Sequence, residues 1–423
     1  MKQMSLKLEN ILINGIQFGE QTKVEDHTLY INKEEALQVI SCKEFVSVDI
    51  DLANPGDSIR IIPVKDAIEP RIKVDSQGFF PGFLGGFDGV GEGVTRVLKG
   101  CCVITTGNIV CFQEGIIDMS GPGADHSIYA HMHNVVLIAE AIEGIVPEKH
   151  EEAVRLAGIR LAHYLAKASL DVEPDEEEIY ALPDADPSLP RLAYVNLVLA
   201  QGLLHDNYIY GGDAKKVQTT LMHPNEMMDG AIVSGNCVTA SDKNTTYDHE
   251  NNPVIRDMYA RHGKDLNFVG VISSPTCTSL AEKERGVMSI ISMARLLRAD
   301  AIVVTEEGGG NPEADIMMIA EKAEQAGIKT VLCVHENAGD DGSSEPLANS
   351  SVAANAVVTA GNNNEFILLP PMEKTLGHLE SADVLAGGIS NALKEDGSIL
   401  VRLAVIMDAT SNLGITKLRA VTY

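Results

Sequence analysis

Tryptophan is absent from this chain, and aromatic residues together make up only 4% of it. Its cores must therefore be packed from Val, Ile, Leu, Ala and Met. Positive charge is also scarce: 33 Lys and Arg stand against 60 Asp and Glu, for a formal charge of −27. Such a surface repels phosphate backbones and anionic lipid heads, which sets nucleic-acid and membrane-surface binding aside. No run approaches the roughly 20 apolar residues that cross a bilayer. The start, MKQMSLKLEN, lacks the apolar stretch of a secretory leader. The seven Cys show no CxxC spacing, and a chain of 423 residues needs no disulfide staples. These absences point to a cytoplasmic protein that handles small molecules or protein partners. Glycine, by contrast, is plentiful at 37 residues, and an apolar content of 45% supports sizeable cores.

The pattern along the chain is that of an α/β protein: a β-rich N-terminal region with helices, then a parallel, doubly wound α/β domain. Apolar β-type runs occur at Ile11–Phe18, Phe45–Ile50, Ile59–Val64 and Val103–Phe112, separated by turn residues. The glycine-rich run from Gly78 to Gly93 reads as an ordered loop or a flap; it lacks the GxGxxG spacing of a dinucleotide site. Residues 1–170 form the β-rich region with two helices, one over Glu148–Ala168, where apolar residues recur at helical steps. Residues 171–190 hold eight acids, four prolines and no Lys or Arg, a solvated linker by composition. Strands at Phe268–Ser273, Ala301–Thr305, Thr330–Val334, Ala356–Thr359 and Ile399–Val405 alternate with helices at Thr276–Leu297, Pro312–Ala326 and Ala382–Leu393. Sheets of that kind place ligands beyond the carboxyl ends of their strands. The segments there are SSPTC (273–277), EEGGGN (306–311), HEN (335–337) and AGNNN (360–364).

Glu306, Glu307, Gly308, Gly309, Gly310 and Asn311 follow a strand and open a helix, with Asn311 as the expected N-cap and Pro312 as the first helical residue. Two carboxylates would repel a phosphate there. A zwitterion suits better, its carboxylate on the helix N-terminus and its cationic nitrogen near Glu306 or Glu307. A plain strand-to-helix turn with exposed acids fits the same residues equally well. Asp125, His126, His131 and His133 carry ligating groups but at no familiar zinc spacing, so no metal is expected. In the segment 231–247, AIVSGNCVTASDKNTTY, an apolar strand runs into Gly235-Asn236-Cys237 and then a string of small hydroxyl residues. Gly235 permits a strained backbone that could tilt the Asn236 carbonyl toward the Cys237 thiol, the geometry an N-to-S acyl shift needs. An ordinary turn explains the tripeptide as well.

This segment, followed by HENNPVI (249–255) and NFVGVI (267–272), resembles the pyruvoyl-forming precursors of component B in clostridial glycine, sarcosine and betaine reductases. The likeness takes in IQFGE (16–20), PGDSIR (55–60), FQEGIID (112–118), GLLHD (202–206) and EEGGGN (306–311), in order along nearly the whole chain. It implies cleavage between Asn236 and Cys237, with Cys237 becoming a pyruvoyl group through thioester formation, β-elimination and loss of ammonia. Asp242, Lys243 and His223 are candidates for moving the protons by proximity in sequence. The implied division is a strand region over 191–236 leading to the junction, then an α/β domain over 237–423 that begins at the pyruvoyl-forming Cys. No metal or nucleotide cofactor is implied beside the pyruvoyl group.

The resemblance further implies an oxidoreductase of amino-acid fermentation. A small amino-acid substrate condenses with the ketone as a Schiff base, which makes its nitrogen a better leaving group. The displacing selenol comes from a separate selenocysteine-containing component B subunit and a small selenoprotein carrier, and a further component forms acetyl phosphate. Glycine, sarcosine and betaine are not separated by the sequence, and betaine's quaternary nitrogen cannot condense with a ketone. Two rivals remain: an N-terminal-nucleophile Cys amidohydrolase, which the alternating β/α pattern opposes, and a non-enzymatic acidic α/β binding subunit.

Overall fold

The computed structural model describes residues 4–110, 114–202, 204–235, 239–339, 342–385, 389–416 and 419–421. The organising element is a seven-stranded sheet. Its order is Thr220–Met222, Asn267–Thr276, Arg191–Leu199, Ala301–Glu306, Lys329–Glu336, Val357–Asn362 and Arg419–Val421. The inner strands run parallel, and the two edge strands are antiparallel to their neighbours. The sheet is covered on both sides, which is how parallel sheets are normally buried. Ala193, Val195 and Leu197 face a core shared with the helices Leu280–Leu296 and Asn311–Gln325. Tyr194 and Val198 face the opposite core, which includes Ile255 and Met258 of the helix Pro253–Arg261.

The inner strand Arg191–Leu199, third in that order, belongs to the segment expected to lead up to the junction. It lies between two strands from beyond it. The sequence LAYVNLVLA is apolar on both faces, as the middle of such a sheet requires.

The N-terminal half is β-rich as expected. One four-stranded sheet contains Ser5–Leu12 and Gly93–Lys99; another contains Phe45–Ala53, His133–Ala141 and Cys101–Gly107. The helix Pro147–Ala166 buries Val154, Ala157, Leu161 and Leu165 in the core shared with that second sheet. The strand Ile59–Val64 has the predicted limits and pairs in parallel with Lys374–Gly377 from the far end of the chain.

Three local expectations are corrected. The acidic stretch 171–190 contains a strand, Glu176–Ala181, paired antiparallel with Ser5–Leu12. Its acids are matched by cations, Lys7 with Glu177 at 3.0 Å and Arg256 with Glu178 at 2.8 Å. Of the helix expected over Ala382–Leu393, residues 386–388 lie outside the described residues, and the described part is a short 3-10 turn, Leu379–Asp383, with Asn391 at φ +59°. Gly387 and Gly388 raise the entropic cost of a helix there. The strand expected over Ile399–Val405 covers only Ile399–Arg402 before a 3-10 turn, Leu403–Val405.

The glycine-rich run 78–93 is a pinned loop. Phe79 and Phe80 are buried, and the Asp229 carboxylate accepts from Gly91 N at 2.7 Å. Among the described residues, no helix is long and apolar enough to cross a membrane.

Candidate functional site

The strand Ile232–Ser234 pairs antiparallel with Asn207–Ile209 and delivers the chain to Gly235. Gly235 N donates to Asp206 O at 2.7 Å, and a Cβ at 235 would stand 1.9 Å from His205 O. Only glycine fits so close an approach of two backbones. Asn236, Cys237 and Val238 lie outside the described residues.

The chain is described again from Thr239, and both flanks of the gap are tied to each other. Ser234 N donates to Thr246 Oγ1 at 3.0 Å. The Lys243 ammonium donates to Gly235 O at 2.6 Å and also to Lys65 O. Thr246 in turn donates from N and Oγ1 to the Asp66 carboxylate, at 2.9 and 2.7 Å. Lys243 is thus a buried clamp on the peptide that enters the proposed junction.

The groups around this clamp are buried and titratable. Burial pushes the Asp66 carboxyl up to about 6, against the pull of Lys243 and the Thr246 bonds. Asp206 is likewise raised to about 6 by burial, with Gly202 N–H, Lys215 and Lys243 opposing. Its Oδ2 accepts from Gly202 N at 2.8 Å, while its Oδ1 is buried without a partner. His249 is pushed down to about 3 by burial and by Lys243, so its ring is neutral at physiological pH. Lys65, lowered by burial, pairs with Glu114 at 2.9 Å.

The strand-end motif forms the other wall. Glu307 is fully buried, and burial raises its carboxyl to about 8 against the hydrogen bonds it accepts. Its oxygens accept from Leu199 N at 2.8 Å, Asn244 N at 3.0 Å and Asn207 Nδ2 at 2.5 Å. Glu307 therefore ties the strand Arg191–Leu199, the partner of the junction strand and the segment after the junction together.

Glutamine at 307 would keep one acceptor and turn an amide N–H toward another donor. Glu307→Gln should lower stability by about 2 kcal/mol, read as a shift of the urea midpoint. The wild-type carboxyl takes up its proton more readily when folded, so wild-type stability falls as pH rises from about 4.5 to about 8. Gln lacks that slope, so the deficit should narrow over that range; an unchanged midpoint at pH 5 would contradict this role.

Glu306 is also buried, yet among the described residues neither of its oxygens has a hydrogen-bond partner. Burial, then Glu313, Asp315 and Asp242, push its carboxyl well above the usual carboxylate range, with Lys283 opposing. Gly308 and Gly310 have φ of +80° and +74°, and a Cβ on Gly309 would meet the His335 ring at 2.6 Å. The helix begins one residue earlier than expected, with Gly310 at the N-cap and Asn311 as the first helical residue. Glu313 already accepts from Gly310 N at 3.0 Å. An internal carboxylate thus occupies part of the helix N-terminus proposed for a zwitterion.

Of the other nominated residues, Asp242 is buried, with its Oδ2 3.2 Å from His335 Nε2. Burial raises its carboxyl and His335 opposes this. His223 is used elsewhere: its Nδ1 accepts from Asn225 N at 3.2 Å, capping the short helix Pro224–Met228. His133 Nδ1 contacts Asn54 Oδ1 at 2.8 Å. Asp125, His126 and His131 line a groove of about 730 Å³ that also includes Asn362, Glu365 and Thr410.

Sequence reasoning missed Lys65, Asp66, Asp206, His249 and His335. Asp206 and His249 stand in segments that carried the resemblance, and His335 stands at a strand end, so those three had a signal. Lys65 and Asp66 had none. Around the post-junction segment Ser241 Oγ, Asn244 Oδ1, Thr410 Oγ1, Ser411 Oγ and Asn412 Oδ1 are all buried without partners among the described residues. Native interiors seldom leave so many polar atoms unmatched in one place, and such concentrations mark functional sites or bound water.

The chain matches the family model for glycine/sarcosine/betaine reductase component B subunits over residues 4–421. It is 49% identical over 430 residues to "Glycine reductase complex component B subunits alpha and beta" of Acetoanaerobium sticklandii, covering 99% of this chain and 100% of that one. It is 45% identical to "Sarcosine reductase complex component B subunit alpha" of Peptoclostridium acidaminophilum, covering 99% and 100%. To "Betaine reductase complex component B subunit alpha" of the same organism it is 40% identical, covering 94% and 95%. No solved structure matches the chain. The family match and these near full-length identities agree with the motifs that bracket the buried site: the chain belongs to the family of glycine/sarcosine/betaine reductase component B subunits.

Proposed function

We propose that this chain is the precursor of a pyruvoyl-dependent, substrate-binding subunit of a glycine, sarcosine or betaine reductase complex, cut between Asn236 and Cys237. The observation that carries the reading is the clamp around the junction. Gly235 is held at its N–H by Asp206 and at its carbonyl by Lys243, and Ser234 is tied to Thr246. A peptide fixed at both flanks can be held in a reactive geometry instead of relaxing. The name of the glycine-reductase relative, which gives subunits alpha and beta to one chain of similar length, agrees with processing.

The residues present fit a small keto-amide. A lysine ammonium carries three donors, of which Lys243 directs two at carbonyls. The Ser241, Thr410 and Ser411 hydroxyls are buried without partners nearby. A pyruvoyl group supplies an electrophilic carbonyl able to take up a substrate amine. In this reading Glu306, its carboxyl raised by burial and without a hydrogen-bond partner among the described residues, is the group positioned to ionise beside a cationic nitrogen, while Glu307 holds the walls. Lys243 and Asp242 are the maturation residues, and His223 is left to its cap. In this reading a selenocysteine-containing subunit, a small selenoprotein carrier and an acetyl-phosphate-forming component complete the reaction, and the complex works in the cytoplasm.

Denaturing intact-mass spectrometry, with and without borohydride, tests this. Two pieces are expected, residues 1–236 and 237–423. The second should lack its N-terminal amine and thiol and gain hydride on reduction. An intact N-terminal Cys would instead favour an amidohydrolase. A single 45.4 kDa species that stays uncut with its partner subunit would end the proposal.

A further inference from the structure

A small cavity of about 20 Å³ lies against the helix Pro147–Ala166 and the strand Cys101–Gly107. Lys65, Asp66, Thr105, Glu151, Arg155 and Ser234 are on its walls. One water needs roughly 10–15 Å³, so the space holds a group of that order and nothing bulky.

Arg155 is fixed from several sides. Its Nε donates to Glu151 Oε1 at 2.8 Å and its Nη2 to the Tyr208 hydroxyl at 3.1 Å. That hydroxyl donates in turn to Glu151 Oε2 at 3.0 Å. The guanidinium lies over the Tyr208 and Phe83 rings, 3.9 and 4.8 Å from their centroids. The side chain is only 7% exposed, yet its Nη1 has no hydrogen-bond partner among the described residues. Thr105 Oγ1, on the same cavity, is also buried without one. A buried donor left unpaired costs more than a typical hydrogen bond contributes, so two of them on one small cavity need an explanation.

The other charged groups on the walls are matched. Lys65 pairs with Glu114 at 2.9 Å, and Glu151 receives Arg155 and Tyr208. Asp66 accepts from Ala67 N, Thr246 N and Thr246 Oγ1 at 2.9, 2.9 and 2.7 Å. What remains open is a guanidinium N–H and a hydroxyl. The missing occupant must therefore bring acceptors. An anion suits best, because hydrogen bonds from a cation to an anion are about twice as strong as neutral ones. The size suits the flat head of a carboxylate better than a tetrahedral phosphate.

We propose that this cavity binds a small carboxylate, with Arg155 Nη1 and Thr105 Oγ1 as its donors. The proposal stands on described residues alone and does not depend on where, or whether, the chain is cut. The carboxylate of an amino-acid substrate and that of a free short acid present the same head, and the experiment separates these two sources.

Thermal melts of the purified protein with its partner subunit, at constant ionic strength in chloride, test this. Acetate and glycine should each raise the Tm in a saturable way, while glycinamide, which lacks the carboxylate, should not. Arg155→Lys keeps the charge but loses the fork, and should weaken carboxylate binding by at least about 10-fold. Thr105→Val removes only the hydroxyl and should weaken it by about 5-fold. Acetate that competes with glycine assigns the cavity to the substrate's carboxylate; acetate that binds alongside glycine assigns it to a free acid.

A wild-type protein without a saturable, carboxylate-specific shift holds only water there, which would overturn the proposal. So would unchanged affinity in Thr105→Val and Arg155→Lys. Should Arg155→Lys fail to fold, Thr105→Val decides, because deleting an unpartnered buried hydroxyl leaves no group unpaired. A chain that binds acetate through these residues yet is never cut would end the processing reading and leave this site standing.

Discussion

Replacing Lys243 by methionine should leave the chain uncut, or slow cutting by at least about 100-fold, the order lost when one preorganised donor is removed from a reacting site. Methionine keeps the buried stem and removes the ammonium, so the packing cost is small. What is lost are the bonds to Gly235 O and Lys65 O, and with them the fixed orientation of the peptide entering residue 236. Gly235 would then keep its N–H bond to Asp206 O and a long bond from Ser234 Oγ to its carbonyl at 3.4 Å.

The variant also carries an electrostatic signature. Lys243 opposes the effect of burial on Asp66 and Asp206, both raised to about 6. Below pH 5 those carboxyls are largely protonated in the folded wild type and gain little from the ammonium. Above pH 6 they are ionised and gain more. The stability deficit of Lys243→Met should therefore grow from pH 5 to pH 8, measured by urea denaturation. A variant that cuts at the wild-type rate would remove Lys243 from the mechanism, and a deficit flat with pH would break its link to the two aspartates.

Elements whose periodicity matched their environment were legible in the sequence. Ile59–Val64, the helix at 147–166 and the alternation of strands and helices after residue 265 were read from spacing alone, because each has one clear buried face or is buried on both. The misses have specific causes. Glu176–Ala181 looked like linker because its acids are neutralised by Lys7, Lys99 and Arg256 from distant parts of the chain. In the span expected as the 382–393 helix, Ala382 is buried in a 3-10 turn, and Leu385 and Ala392 are buried outside any helix.

The site was half legible. Glu306 and Glu307 could be placed at a strand end, but adjacent acids in one motif gave no hint that their environments differ. Glu307 receives three donors and Glu306 none, because the donors come from segments about 60 to 110 residues away. The Lys243 clamp depends on Lys65 in the same way, through a pairing set by the tertiary fold and not by local spacing.

That same long-range interleaving leads to a second large effect: once cut, the two pieces should not separate under native conditions. The strand Arg191–Leu199 from the first piece pairs along its length with Asn267–Thr276 on one side and Ala301–Glu306 on the other, both from the second piece. Withdrawing it would expose two strand edges in the middle of a sheet, together with both cores that flank it. Unpaired buried backbone groups and lost apolar burial each oppose that strongly.

A further seam joins Ile59–Val64 to Lys374–Gly377. At the proposed cut, Ser234–Thr246 and Gly235–Lys243 bonds cross from one piece to the other. The apolar part of this interface is insensitive to ionic strength, unlike surface ion pairs. The cut protein should therefore elute as one species in 1 M salt. The pieces should come apart only in denaturant, in the same transition that unfolds the sheet. Residues 237–423 expressed alone should be insoluble, lacking an inner strand of their sheet. Recovery of two separately folded pieces from a native column would contradict the interleaved sheet and the assignment of the strand Arg191–Leu199 to the first piece.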